Sequence, residues 1–112
     1  MTDRYAIWEP GKPLRYVEVL EWAEWFENSG ESRRVNYSEI GPYEVSTVFL
    51  GLNHALAFIG RPLWFETMVF GSGGMDGSTE RYETEEEARE GHERICLAVL
   101  DSLQSKPERS ES

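Results

Sequence analysis

The chain has 112 residues, 39% of them apolar and 12% aromatic, with four tryptophans. That is enough for one core without metals or disulfides, and the single cysteine, Cys96, excludes an internal disulfide and a cysteine-based zinc site. A formal net charge of −10 disfavours direct nucleic-acid binding, because no basic patch is present to displace counterions from phosphates.

The charge is unevenly placed: +1 over residues 1–16, −5 over 17–44, zero over 45–75 and −6 over 76–112. The acid is read first as solubility; it also admits a basic partner, including a nucleic-acid-binding protein. The N-terminal stretch MTDRYAIWEP has no apolar leader core, and no apolar run approaches the roughly 20 residues that span a bilayer. The expectation is a cytoplasmic protein with no membrane contact.

In chain order, Tyr5 to Glu9 alternates as a short first strand, ended by Pro10-Gly11. From Val17, apolar residues including Leu20, Trp22, Ala23, Trp25 and Phe26 recur at mainly helical spacing, with Glu18, Glu21, Glu24 and Glu27 opposite. This predicts an amphipathic helix of about three turns, stopped at Asn28-Ser29-Gly30 and docked by its aromatics on a sheet. Arg33–Ile40 and Glu44–Leu50 read as a hairpin around Gly41-Pro42. Both faces of Glu44–Leu50 are largely apolar, which suits a central strand. Leu63–Phe70 reads as the last strand, and the four-glycine stretch Gly71–Gly77 as a flexible loop. Thr84-Glu85-Glu86-Glu87 is a capping box opening a second helix, with Ala88, His92, Ile95, Val99 and Leu103 inward and Cys96 and Leu100 beside them. The order β-α-β-β-β-α predicts a single two-layer α+β domain over residues 1–105. It would hold about four mostly antiparallel strands and two helices, with residues 106–112 as a disordered polar tail.

Four segments carry a resemblance: GluTrpAlaGluTrpPheGlu (21–27), SerThrValPheLeuGlyLeuAsnHis (46–54), ProLeuTrpPheGluThrMetValPheGly (62–71) and ArgTyrGluThrGluGluGluAlaArgGluGlyHis (81–92). In this order, within about residues 15–95, they resemble a family of small uncharacterised proteins carried by bacteriophages and prophages. The resemblance implies a phage-encoded accessory protein acting inside the bacterial cell, and it supplies no catalytic residues. The chain departs from the family at 55–60, where the linker is unusually apolar.

Several constellations bear on chemistry. His54, Glu66 and His92, joined by Asp76, include the residue types that hold zinc or iron or serve as acid and base. No HxH or HExxH pair fixes two of them on one element, so His92 is read first as a hydrogen-bonded core histidine. Glu66 is read first as the partner of Arg61 or Arg81, because an unpaired buried carboxylate is costly. The glycine loop lacks the lysine of a P-loop and is read as a connection. Cys96 is read as a small core residue.

Two surfaces point to binding. Leu56, Phe58 and Ile59, with Trp64 nearby, form an apolar patch of the kind found at interfaces, or fold back over the sheet. Glu18, Glu21 and Glu24 on the first helix and Glu86, Glu90 and Glu93 on the second form carboxylate ladders that side by side could imitate a phosphate backbone. The sequence therefore predicts a non-enzymatic protein without cofactor that binds and modulates a host or phage protein. The alternatives are a small metal-binding protein or enzyme using His54, Glu66 and His92, and an oligomeric assembly protein.

Overall fold

The computed structural model describes residues 5–51 and 62–104. It is an α+β arrangement of two helices, a four-stranded antiparallel sheet and a separate two-stranded ribbon. The ribbon pairs β1 (Ala6–Ile7) with β2 (Arg15–Tyr16). Helix α1 (Val19–Ser29) follows, then a 3-10 turn (Gly30–Arg33). Strands β3 (Arg34–Ile40), β4 (Tyr43–Phe49), β5 (Phe65–Gly71) and β6 (Thr79–Tyr82) form a meander in that spatial order. Helix α2 (Glu85–Gln104) then crosses all four strands.

Local chemistry sets the boundaries. Gly30, at φ 49°, ends α1 in a conformation that a side chain would oppose. Gly41 takes φ 58° in the two-residue β3–β4 loop, as a type II′ turn requires of its first central residue. The Thr84 hydroxyl accepts the Glu87 amide at 3.0 Å, and the Glu87 carboxylate accepts the Glu83 amide at 3.1 Å, so the predicted cap of α2 forms.

The sheet differs from the expected one at both ends of the strand order. Tyr5–Glu9 contributes only a two-residue ribbon strand, tied to the sheet by the Ala6 amide on the Gly51 carbonyl at 2.9 Å. The fourth sheet strand is instead β6, which follows the glycine loop directly. That loop is stitched rather than loose: Gly77 donates to the Val69 carbonyl at 2.8 Å, and Asp76 accepts the Gly71 amide at 2.9 Å. Helix α1 buries no residue completely. Its aromatics pack at one end of the core, Trp25 edge-on to Phe49 and Trp22 against Tyr5 and Phe26.

Strand alternation sorts the sheet into two faces. Tyr43, Val45, Thr47 and Phe49 of β4, with Phe65, Thr67 and Val69 of β5, are buried on the side that α2 covers. Two apolar clusters occupy that side. One gathers Trp8, Phe49, Trp64, Phe65 and Ala88; the other gathers Tyr43, Val45, Val69 and Val99. A polar layer lies between them, because Thr47 and Thr67 each stand one residue from the midpoint of β4 and β5. The register pairs them directly across the two strands. Among the described residues no element packs on the outward face, where Tyr37, Ser46 and Met68 share one row by register.

Candidate functional site

The polar layer holds His92, which is 1% exposed. Its Nδ1 lies 2.7 Å from Thr47 Oγ1 and its Nε2 lies 3.0 Å from Ser38 Oγ on β3. Thr47 and Thr67 share a short hydroxyl contact. Tyr82 OH is 3.0 Å from Thr67 Oγ1 and 2.9 Å from a Glu80 carboxylate oxygen, and Glu80 is paired with Arg94 of α2. One hydrogen-bonded line thus crosses all four strands beneath the helix.

Donor capacity orients the whole line. Ionised Glu80 only accepts, so the single Tyr82 hydrogen belongs to it. Thr67 must then donate to Tyr82, Thr47 to Thr67, and His92 Nδ1–H to Thr47. That leaves Nε2 as the acceptor for Ser38. The ring is therefore the neutral Nδ1–H tautomer with both nitrogens satisfied. Burial holds its pKa below the ordinary histidine value, and the Glu93 carboxylate opposes that only in part. Burial also pushes the Tyr82 phenol up to about 12, with the Glu80 carboxylate adding to it and Thr67 and Arg94 acting against it.

A serine hydroxyl on a histidine nitrogen resembles a nucleophile with its base, but two features oppose that chemistry. The far nitrogen is held by a threonine hydroxyl, which cannot stabilise an imidazolium as a carboxylate does. The ring is also sealed from solvent. The layer is a structural seam.

Glu66 does not join it. Its carboxylate pairs with Arg81 at 3.1 Å, and Thr67, the next residue, is the one that shares a face with His92. Alternation therefore sets Glu66 and His92 on opposite sides of the sheet, which removes that pair from the proposed metal set. His54 lies outside the described residues, and Asp76 is engaged within its own loop. Among the described residues no group of three or more His, Cys, Asp or Glu could hold a metal ion. Cys96 is half-buried against the second apolar cluster.

The binding residues fare unevenly. Trp64 is buried against Phe65 and beside Tyr16, so it is no part of an exposed patch. Leu56, Phe58 and Ile59 lie outside the described residues. Glu18, Glu21, Glu24 and Glu27 recur every three residues, which falls short of a helical turn by about 60° per step. They therefore spread around half of α1 rather than forming a line. Glu21 is also paired with Arg15 at 2.9 Å, and both line a cleft of about 400 Å³ with Glu24, Trp25 and Asn28.

Helix α2 presents a true stripe. Glu86, Glu90, Glu93, Leu97 and Leu100 follow one another at steps of four, three, four and three residues, so they share one side. All five are exposed, Leu97 at 65% and Leu100 at 41%. The three glutamates make no ion pair among the described residues. The two leucines are the part sequence reasoning missed: Leu100 was expected beside the inward stripe, and Leu97 lies one turn before it on the same outward side. The two helices dock on different partners, α1 on β1 and α2 on the four strands, which leaves side-by-side ladders without support.

No family model matches the chain, and no curated protein or solved structure matches it either. Among the described residues no helix is long and apolar enough to cross a membrane.

Proposed function

We propose that this chain is a non-enzymatic accessory protein of phage type that works in the bacterial cytoplasm by binding a host protein at a basic surface. The observation that carries the reading is the α2 stripe, three exposed carboxylates with no ion pair among the described residues, followed by two exposed leucines on one helix. Such a stripe suits a partner groove with a basic half and an apolar half. The sealed histidine supports a binding role over a catalytic one. The phage attribution rests on the motif resemblance.

Charge density decides how literally the stripe imitates nucleic acid. Glu86, Glu90 and Glu93 place about one charge per 5 Å of helix axis, against one per roughly 1.7 Å for a DNA duplex. The stripe therefore addresses a local basic patch and does not copy a duplex.

The test is capture from bacterial lysate at low and high salt, using the native chain and the triple variant Glu86→Lys, Glu90→Lys, Glu93→Lys. A stoichiometric partner that weakens in high salt and is lost by the variant supports the proposal. A partner held equally by the variant, or no partner at all, overturns it.

A further inference from the structure

We infer that the outward face of the sheet is a self-recognition surface, on which a second copy of this chain docks face to face with its strands running in the opposite direction. The inference is independent of the α2 stripe, which lies on the other side of the sheet.

The register supplies the argument. Opposite α2, one end of the face carries Arg34, paired in register with Val48, and Arg81, which is paired with Glu66. The far end carries Glu39 and Glu44, which are register partners of each other. Between them runs a neutral row through Tyr37, Ser46 and Met68. The face is therefore basic at one end, acidic at the other and uncharged in the middle. Among the described residues no element packs on it.

Two copies can be stacked on such a face in two symmetric ways. A two-fold axis parallel to the strands sets the basic ends together and brings Arg34 towards Arg81 of the other copy. A two-fold axis along the neutral row reverses the strands and sets Arg34 of each copy over Glu39 of the other. It also places Met68 and Tyr37 near their own counterparts on the axis. Only the second arrangement is complementary, and it produces each charge contact twice. Two acidic chains can also approach at this face with little repulsion, since Arg34 and Arg81 nearly balance Glu39, Glu44 and Glu66.

Size sets the strength. Three strands of seven residues and one of four, about 4.8 Å apart and with about 3.4 Å per residue, give a footprint of roughly 400 Å², about half of what each partner contributes to a standard interface. The dimer is accordingly weak and concentration-dependent.

The test is sedimentation equilibrium from about 5 µM to 1 mM on the native chain, on Arg34→Glu, on Glu39→Arg and on an equimolar mixture of the two variants. Both positions are exposed, and circular dichroism checks that the fold is kept. Each variant alone sets like charges together and should weaken association by about tenfold or more. The mixture restores Arg opposite Glu at both contacts and should dimerise as the native chain does. A native chain that stays monomeric to 1 mM overturns the inference. So does a dimer indifferent to either reversal, which would lie elsewhere, for instance along the edge strand β3. A mixture that stays monomeric while the native chain dimerises overturns it as well.

Discussion

His92 Nδ1 stands 2.7 Å from Thr47 Oγ1, and the proton between them belongs to the histidine. That assignment follows from Glu80 at the other end of the line, since a carboxylate there forces every hydroxyl to donate towards it. Replacing Thr47 with valine keeps the volume and removes the acceptor, leaving a buried N–H without a partner. The expected cost of Thr47→Val is about 1–3 kcal/mol, measured by urea denaturation. A valine variant as stable as the native chain would show that the line carries no weight.

The same histidine sets a pH dependence. Its folded pKa lies below the unfolded value of 6.5, so the unfolded chain binds the proton more readily. The stability contributed by the neutral ring is complete above pH 6.5. It falls as pH drops through 6.5 towards the folded pKa and levels off below that. His92→Leu should be less stable at pH 8 and should lack the slope in this window. Equal slopes in the two proteins would assign the titration to another group.

Gly91 lies on α2 where a Cβ would strike the Tyr82 ring. An exposed helical glycine gains about 1 kcal/mol on replacement by alanine. Here the clash reverses the sign, because overpacking typically costs about 1–3 kcal/mol and displaces the phenol from Thr67. Gly91→Ala should lower the melting temperature; an increase would mean that Tyr82 can move freely.

Glu85 ties the N-terminal ribbon to α2. It accepts Trp8 Nε1 at 3.1 Å and the Gly11 amide at 3.2 Å, and pairs with Arg89 at 2.8 Å. Burial works to raise its pKa, but the bonds from Trp8, Arg89 and Gly11 outweigh it and hold the carboxyl below its ordinary value. Its contribution is therefore present above pH 4.5 and is lost as pH falls through 4.5 to the folded pKa. Glu85→Gln should cost about 1 kcal/mol, discounted for partial exposure. It should also alter Trp8 fluorescence, and unchanged emission would place the indole outside this contact.

Thr84→Ala removes one helix cap and should cost about 1 kcal/mol, with Thr84→Ser recovering most of it. Equal losses for alanine and serine would locate the effect in the methyl group rather than in the hydroxyl bond.

The sequence made parts of this fold legible for identifiable reasons. The Thr84–Glu87 box and the Gly41-Pro42 turn are local patterns whose chemistry is complete within four residues. The ribbon and β6 were not legible. Tyr5–Glu9 alternates as a sheet strand does, yet it has only the short β2 to pair with. Thr79–Tyr82 is a four-residue charged segment after four glycines, and it becomes a strand only because β5 lies beside it. The seam joins side chains from Ser38 to Arg94, so no spacing rule connects them. One trace was present: Thr47 and Thr67 interrupt otherwise apolar inward positions. The Glu18–Glu27 series looked like a line because its spacing is regular, but a period of three is not the period of an α-helix.

The line of hydroxyls also bears on how the strands choose their alignment. Apolar residues alone tolerate a slide of β4 past β5 by two positions, because the same face stays buried. A slide of that kind would set Thr47 opposite Phe65 or Val69, parting it from Thr67 and stranding His92 Nδ1–H in a dry interior. Thr47 and Thr67 thus act as a key cut for one position. They penalise every near-miss pairing of the central strands, so the chain selects one alignment rather than merely a compact one.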